Sequence, residues 1–406
     1  MKCILPFRQH IHGASIIYGG SVDVLELSDE VATAVGIGFE SEVYPFAQYN
    51  RNYRPIISES ADFRDTIEKL FSTINCHFDH GPASIALNFK DCIVSSGVIH
   101  LPLADGLAVV QPTYRENDRP FVSPLTDIDI ESIERFEAPG RKLIYFGSAG
   151  SHNYGHWLVD DLTRLKHVLD RNEPTTLLLQ SRGDISSIHN QSLSLLLQGR
   201  DVQIKTISPT HVLRCQDLTY ITPVSYHPYA KNPPAINWLR VQITNRLRPE
   251  SNAPKRLFVR RNSLRKGTLS TFLTKLIGWP RRHIRGRQIS NLSDIEACAK
   301  AAGFYICDPE SMSFEAQMTL FAGAEIVVGT MGAAMCNTVA CRAGVKLLYL
   351  LPEGWVEPFY WDMAEVLSHD YFAISGHREN IAAAAHDDDF RIDVASFKAA
   401  LADLDR

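Results

Sequence analysis

The stretch Asp308–Asn337, DPESMSFEAQMTLFAGAEIVVGTMGAAMCN, constrains the fold more than any other part of the chain. Phe314 to Ala322 has apolar residues at helical spacing, and Glu325-Ile-Val-Val-Gly is a short continuous apolar run, the pattern of a strand covered on both faces. Gly329-Thr-Met-Gly332 interrupts both patterns before Ala333 to Ala340 resumes as a helix. Helix, buried strand, glycine-rich turn and helix in that order belong to a parallel sheet with helices on its faces. The flanking sequence repeats the rhythm. Arg256-Leu-Phe-Val, Gly303-Phe-Tyr-Ile-Cys and Val345-Lys-Leu-Leu-Tyr-Leu-Leu read as strands, and Asp294 to Ala302 as a helix.

The same alternation runs through the middle of the chain. Residues 141–147 (RKLIYFG) read as a buried strand entering the Gly147–Gly150 turn, and the helix expected next carries Leu158, Leu162, Leu165 and Leu169 on one ridge. Thr175-Thr-Leu-Leu-Leu-Gln and Gln203-Ile-Lys-Thr-Ile are further strands, with a helical piece around Ser192 between them. From about residue 20 to 135, short runs such as Ile85-Ala-Leu-Asn-Phe and Ala108-Val-Val-Gln-Pro alternate with polar turns, which predicts strands with sparse helix. After the prolines at 228, 233 and 234 a helix is expected from Ala235 to Leu247, and RPESNAPK at 248–255 reads as a linker. The expectation is an α/β chain of two Rossmann-like parts, residues 1–248 and 255–375. A tail, 376–406, ends in an amphipathic helix and packs back on the first part. Such halves bind ligands at the carboxyl ends of their strands, in the crevice between them.

Composition narrows the function classes. The 406 residues suit about two domains, and the 45% hydrophobic and 21% charged content is that of a globular protein. A net charge of −5 argues against a nucleic-acid partner, because no cationic surplus exists to neutralise a phosphate backbone. The start MKCILPFRQHIHGASIIYGG has no signal-peptide core, and no long apolar window predicts a membrane span, so a cytoplasmic protein with at most peripheral membrane contact is expected. Cys3, Cys76, Cys92, Cys215, Cys298, Cys307, Cys336 and Cys341 form no C-x-x-C pair and no zinc spacing, which predicts reduced thiols and no metal centre.

Several residues are able to carry chemistry. Gly329 and Gly332 allow close backbone approach, and the amides that open the next helix attract phosphate, although small residues after a parallel strand also serve close helix packing. Within Lys255, Arg256, Arg260, Arg261, Arg265 and Lys266, we single out Arg261 and Arg265 as grips for a diphosphate, the rest reading as a solvated loop. Arg281-Arg-His-Ile-Arg-Gly-Arg is a second basic run, suited to anionic lipid or an anionic glycan, or part of a surface lobe with Phe272–Trp279. At about 100° per residue, His156 and Asp160 share the helix side opposite the leucine ridge, where His156 accepts a proton and Asp160 orients it. Trp157 is placed to stack on a sugar, or to fill core beside the leucines. Asp127-Ile-Asp129 has the form of a metal-binding D-x-D, but its alternating context argues against that role.

Taken together, these segments resemble glycosyltransferase family 61, of the bacterial capsular polysaccharide biosynthesis type. The resemblance rests on NYGHWLVDDLTRL (Asn153–Leu165), FVRR (Phe258–Arg261), DPESMSFEAQ (Asp308–Gln317), FAGAEIVVGTMGAAMCN (Phe321–Asn337), AGVKLLYL (Ala343–Leu350) and the region from Trp355 to Tyr371. It implies a GT-B architecture of two facing Rossmann-like domains and an inverting, metal-independent transfer. The donor is a nucleotide-sugar used as co-substrate, and the acceptor is a surface glycan or lipid-linked glycan. Carried over by position, Arg261, Arg287, Asn291, Glu315, Gln317, Gly329, Thr330, Met331, Gly332, Ala333 and Asn337 fall on the donor side, with Arg265 added from the basic loop. Asn153 and Trp157 fall on the acceptor side, and His156, Asp160 or Asp161 is the base. Met331 stands where the family often has His, Leu292 where it has Glu, and Lys266–Gly286 reads as an insertion. These departures keep a second reading open, a catalytically silent nucleotide-sugar or glycan-binding subunit, with an epimerase on the same fold as a third.

Overall fold

The computed structural model describes residues 2–6, 24–27, 36–49, 51, 61–103, 106–110, 113–114, 125, 129–181, 186–208, 210–248, 252–261, 287–355 and 357–406. It divides into two compact units, Met1–Asn50 with Asn75–Arg246, and Arg51–Ile74 with Leu247–Arg406. The stretch Arg51–Ile74 counts with the second unit because of what its side chains pack on. In helix α1 (Ala61–His77), Ile67, Phe71 and Ile74 fall at helical spacing and are buried. Phe71 stacks on Trp361 with ring centroids 4.4 Å apart, and Arg51 Nε donates to Asp362 Oδ1 at 2.8 Å.

The first unit holds two large sheets. One contains β1 (Ile37–Tyr44), β2 (Ser84–Phe89), β3 (Lys142–Tyr145), β4 (Thr175–Gln180), β5 (Val202–Ile207) and β6 (Leu218–Ile221), in the order β5-β4-β3-β6-β2-β1. The four strands from β5 to β6 are parallel, and β2 and β1 add antiparallel. Helices α2 (Leu165–Arg171) and α3 (Ser186–Leu196) lie on the crossovers, and Asn232 caps α4 (Pro233–Thr244), whose two leading prolines sit where no backbone donor is needed. The second sheet runs Arg135–Phe136, Val212–Cys215, Cys92–Ser95, Val98–Leu103, Gly106–Val110, Lys2–Pro6, Val24–Leu27 in spatial order, antiparallel at its centre. Leu87, Phe89 and Leu218 of one sheet share a core with Val94, Ile99 and Val110 of the other. The expected strands of this half are present, together with a second sheet, antiparallel at its centre and parallel at both ends, that a plain Rossmann-like half does not have.

The second unit is built on one sheet of β7 (Arg256–Val259), β8 (Tyr305–Cys307), β9 (Ile326–Thr330), β10 (Lys346–Pro352), β11 (Asp370–Arg378) and β12 (Phe390–Arg391), ordered β8-β7-β9-β10-β11-β12. All pairs are parallel except the last. The chain leaves β7 toward one side and returns on the other with β9, so the carboxyl ends of β7 and β9 border a topological switch point, where open α/β sheets bind ligands. Helices α5 (Leu292–Ala301), α6 (Phe314–Ala322) and α7 (Pro358–Leu367) connect the strands.

One expected helix is present in a tighter form, and one expectation needs correction. Ala333–Ala340 is a 3-10 helix, held by the Met335 amide to the Gly332 carbonyl at 2.9 Å and by Thr338 Oγ1 donating to the Met335 carbonyl at 2.7 Å, the tighter i to i+3 pattern. The terminal segment is a layer of the second unit. In α8 (Val394–Leu404), Phe397, Leu401 and Leu404 join Ile295, Ala299 and Phe304 in one core, so the apolar face of this helix is used within the second unit and not on the first part. The chain as a whole is mixed α/β with several sheets containing parallel strands.

Candidate active site

The first group of candidate residues lies after β3. Ser148 and Asn153 open short helical turns, and the Asn153 side chain accepts the Gly155 amide at 2.9 Å, a capping role for a residue expected to touch an acceptor. The helix then changes pitch, from one α turn at Tyr154–His156 to a π segment at Trp157–Asp161, a 3-10 turn at Leu162–Arg164, and α2. Single π turns of this kind interrupt helices at functional sites. Here the change of pitch sends two adjacent carboxylates to different partners.

Asp160 accepts from His156 Nδ1 at 2.9 Å and from the Ser225 hydroxyl. Asp161 is fully buried, takes a hydrogen bond from Ser151 Oγ at 2.7 Å, and lies 3.4 Å from Arg164 Nη2. Arg164 is itself buried, donates to the Gly147 carbonyl at 3.1 Å, and lies over the Tyr220 ring at 5.2 Å. Burial works against its charge, but Tyr220, Asp161 and Asp160 together raise its pKa, and burial of Tyr220 pushes that phenol up to about 12. Arg164 therefore stays a cation and Asp161 serves as its counter-ion, so the expectation of Asp161 as an alternative base is corrected. Of the predicted trio, His156 and Asp160 form a pair whose side chains keep 13% and 9% of their surface. His227 meets the His156 ring edge-on at 4.4 Å between centroids. Trp157 is 1% exposed, stacks on His189 at 3.8 Å and donates to Ser192 Oγ at 2.9 Å, so it fills core and is not open to a sugar.

The second group collects at the carboxyl ends of β7, β9 and β10. Arg261 follows β7 by two residues, and a Cβ built on Gly332 would lie 3.1 Å from its Nη1, so the guanidinium rests against the Gly332 backbone. Arg260 is instead engaged by Glu296 through two hydrogen bonds of 2.7 Å. Arg287 has a left-handed φ of 71°, its amide donates to the Asp388 carbonyl at 3.0 Å, and its guanidinium lies 4.6 Å over Trp355, beyond the end of β10. A non-glycine residue held in that region costs free energy that the surrounding contacts must offset, a feature of ligand sites. Burial raises the pKa of Tyr360 well above normal, and Arg287 and Arg261 both pull it back; Arg261 acts likewise on Glu310, which burial and Asp308 raise. Arg261, Arg287, Trp355, Tyr360 and Glu310 thus share one electrostatic neighbourhood.

Other donor-side expectations resolve into packing. A Cβ on Gly329 would meet Met335 Sδ at 2.8 Å and Val259 Cβ at 2.9 Å, so this glycine lets the 3-10 segment lie on the sheet. Asn337 donates to Gln317 Oε1 at 2.8 Å, and Gln317 to the Met312 carbonyl at 3.2 Å, which ties α6 to the segment behind the turn. Asn291 exchanges both amide groups with the backbone of Ile392, at 2.8 and 3.2 Å. Met331 is fully buried and Thr330 nearly so, whereas Ala333 is half-buried and Glu315 exposed. Arg265 and Asp127 lie outside the described residues, as does the basic run before Arg287. Asp129 accepts the Glu131 amide at 3.1 Å as a turn cap.

Sequence reasoning missed Ser151, Arg164, Ser225, His227 and Trp355. Ser-Tyr-His-Pro-Tyr at 225–229 is a dense polar and aromatic run directly after β6, the one local signal that pointed there. Among the described residues no helix is long and apolar enough to cross a membrane, and no group of three or more His, Cys, Asp or Glu is placed to hold a metal ion. No curated protein matches the chain. The family model described as Glycosyltransferase 61 matches residues 154–348, a span that begins at the helix of His156 and ends within β10. Residues 154–348 are therefore a glycosyltransferase family 61 domain.

Proposed function

We propose that the protein is an inverting, metal-independent glycosyltransferase of GT-B type that moves a sugar from a nucleotide-sugar to a surface-glycan or lipid-linked glycan acceptor. The acceptor side is the part within residues 1–248 and the donor side the part within 255–375. The observation that carries the reading is the His156–Asp160 pair, 2.9 Å apart in a partly exposed position. With Nδ1–H given to Asp160, Nε2 is the basic nitrogen that takes the proton of the acceptor hydroxyl as the new glycosidic bond forms and the nucleoside diphosphate leaves. Arg261 and Arg287 supply cations where charge develops on that leaving group, and the amides following Gly332 assist.

General-base catalysis contributes about 10² to 10⁴ in rate. His156→Ala is therefore expected to lower turnover by at least about 10² while donor binding, followed as nucleotide-sugar-dependent thermal stabilisation, stays unchanged. Full turnover in that variant removes His156 as the base. One observation favours the second reading, a silent nucleotide-sugar-binding subunit: Met331, in the position where the family often has His, is fully buried. Stabilisation by a nucleotide-sugar without transfer to any acceptor distinguishes that case.

A further inference from the structure

The hairpin of Ser225–Tyr226 and Ala230–Lys231 carries two residues to the His156–Asp160 pair from outside the helix that holds it. Ser225 donates to Asp160 Oδ1 while His156 occupies Oδ2, so the two carboxylate oxygens are engaged from two elements. His227 then stands edge-on to the His156 ring. A carboxylate held at one oxygen rotates about its last bond; held at both it has one orientation, and so does the imidazole bonded to it.

The hairpin is anchored well enough to do this. At its entry, Thr222 accepts from Ser84 Oγ at 2.6 Å through its carbonyl and from the Ile85 amide at 3.0 Å through its hydroxyl. At its exit, Asn232 donates its amide to the Val224 carbonyl at 2.8 Å and its side-chain NH₂ to the carbonyls of Pro45 and Pro82 at 2.7 and 2.8 Å. Phe78 stacks on Tyr229 with centroids 4.8 Å apart. Gly81 sits so close beneath that a Cβ would lie 2.4 Å from both the Lys231 carbonyl and Asn232 Cα. The hairpin is a fixed arm seated on the sheet.

We propose that Ser225 is a positioning residue for proton transfer: by holding Asp160 in one orientation it fixes the Nδ1–H tautomer of His156 and keeps Nε2 basic, with His227 confining the ring plane. The inference rests on His156 as the base. The charged and titratable groups around the pair are His227, Arg164, Tyr220 and Asp161, none of which the test alters.

The test uses the full chain labelled with ¹⁵N-histidine, with His156 assigned by its loss in His156→Ala. In the wild type the His156 nitrogens are expected to report Nδ1–H and a bare Nε2 above neutral pH. In Ser225→Ala the Nε2–H tautomer, which an unconstrained histidine side chain prefers, is expected to grow in, with turnover falling about 10- to 100-fold and acceptor KM unchanged. Ser225→Thr, which keeps the hydroxyl, is expected to restore both signals. Gly81→Ala, remote from the reacting atoms, is expected to reproduce the tautomer change by displacing the arm. An unchanged tautomer in Ser225→Ala overturns the proposal. If His156→Ala turns over normally, the base reading fails, yet the tautomer measurement still decides what Ser225 does.

Discussion

Two glycines three residues apart in one turn do different work. The space a side chain would take at Gly329 is filled by Met335 and Val259, whereas the space above Gly332 belongs to the Arg261 guanidinium. Gly332 is in extended backbone at φ 178°, which any residue adopts, so a methyl group there acts on Arg261 and not on the chain path. Gly332→Ala is expected to weaken nucleotide-sugar binding about 5- to 10-fold by moving a charge-assisted contact, with little change in melting temperature. Gly329→Ala is expected to do the reverse, costing about 1–3 kcal/mol of stability through overpacking. Calorimetric titration and thermal unfolding of the two variants separate these outcomes, and equal behaviour of both would remove the Arg261 assignment.

Among the elements of the first unit, two strands hold buried acid-sensitive groups. Glu40 on β1 takes hydrogen bonds from Lys142 Nζ at 2.8 Å and Thr219 Oγ1 at 2.9 Å, with Arg171 Nη2 at 3.1 Å and His167 Nε2 at 3.5 Å. Burial alone would raise its pKa, but the His167 and Lys142 contacts bring it well below the carboxylate range. Its contribution is complete above the unfolded carboxylate pKa and lost as pH falls below it. His100, on the strand Val98–Leu103, is affected earlier. Burial lowers its pKa from 6.5 to about 4, so it is neutral in the fold and its stability is lost as pH drops from 6.5 toward 4. At pH 5 that loss is about 2 kcal/mol. His100→Phe is expected to flatten the urea midpoint between pH 7.5 and pH 5, and an unaltered slope would place the acid sensitivity elsewhere.

At the scale of the whole molecule, the chain path matters more than any single contact. Arg51–Ile74 precedes most of the first unit in sequence and belongs to the second in space, through the Arg51–Asp362 ion pair, whose side chains are 1% and 0% exposed, and through the Phe71–Trp361 stack. Removing one partner leaves a buried charge alone. Asp362→Ala is expected to lower the stability of the second unit by about 3–5 kcal/mol, and the apolar pair Arg51→Met with Asp362→Leu to recover most of it. Denaturant unfolding followed by fluorescence, read as two transitions, tests this.

The sequence by itself determined the parallel strands, the glycine turn at the end of β9 and the His156–Asp160 contact, because each follows from short-range periodicity and survives a change of helix pitch. It also placed Arg261 correctly at a strand's carboxyl end. Only the tertiary structure decided which polar residues were already spoken for. Asn291, Gln317, Asn337 and Asp161 look like ligand contacts in a motif, yet each satisfies a buried group that local sequence does not reveal. Ser225 reaches Asp160 across 65 residues, Gly81 seats a hairpin 150 residues away, and Arg51 pairs across 311, since sheet order and register set those meetings. A side chain's chemistry is written in the sequence; its partner, and so its role, is written in the packing.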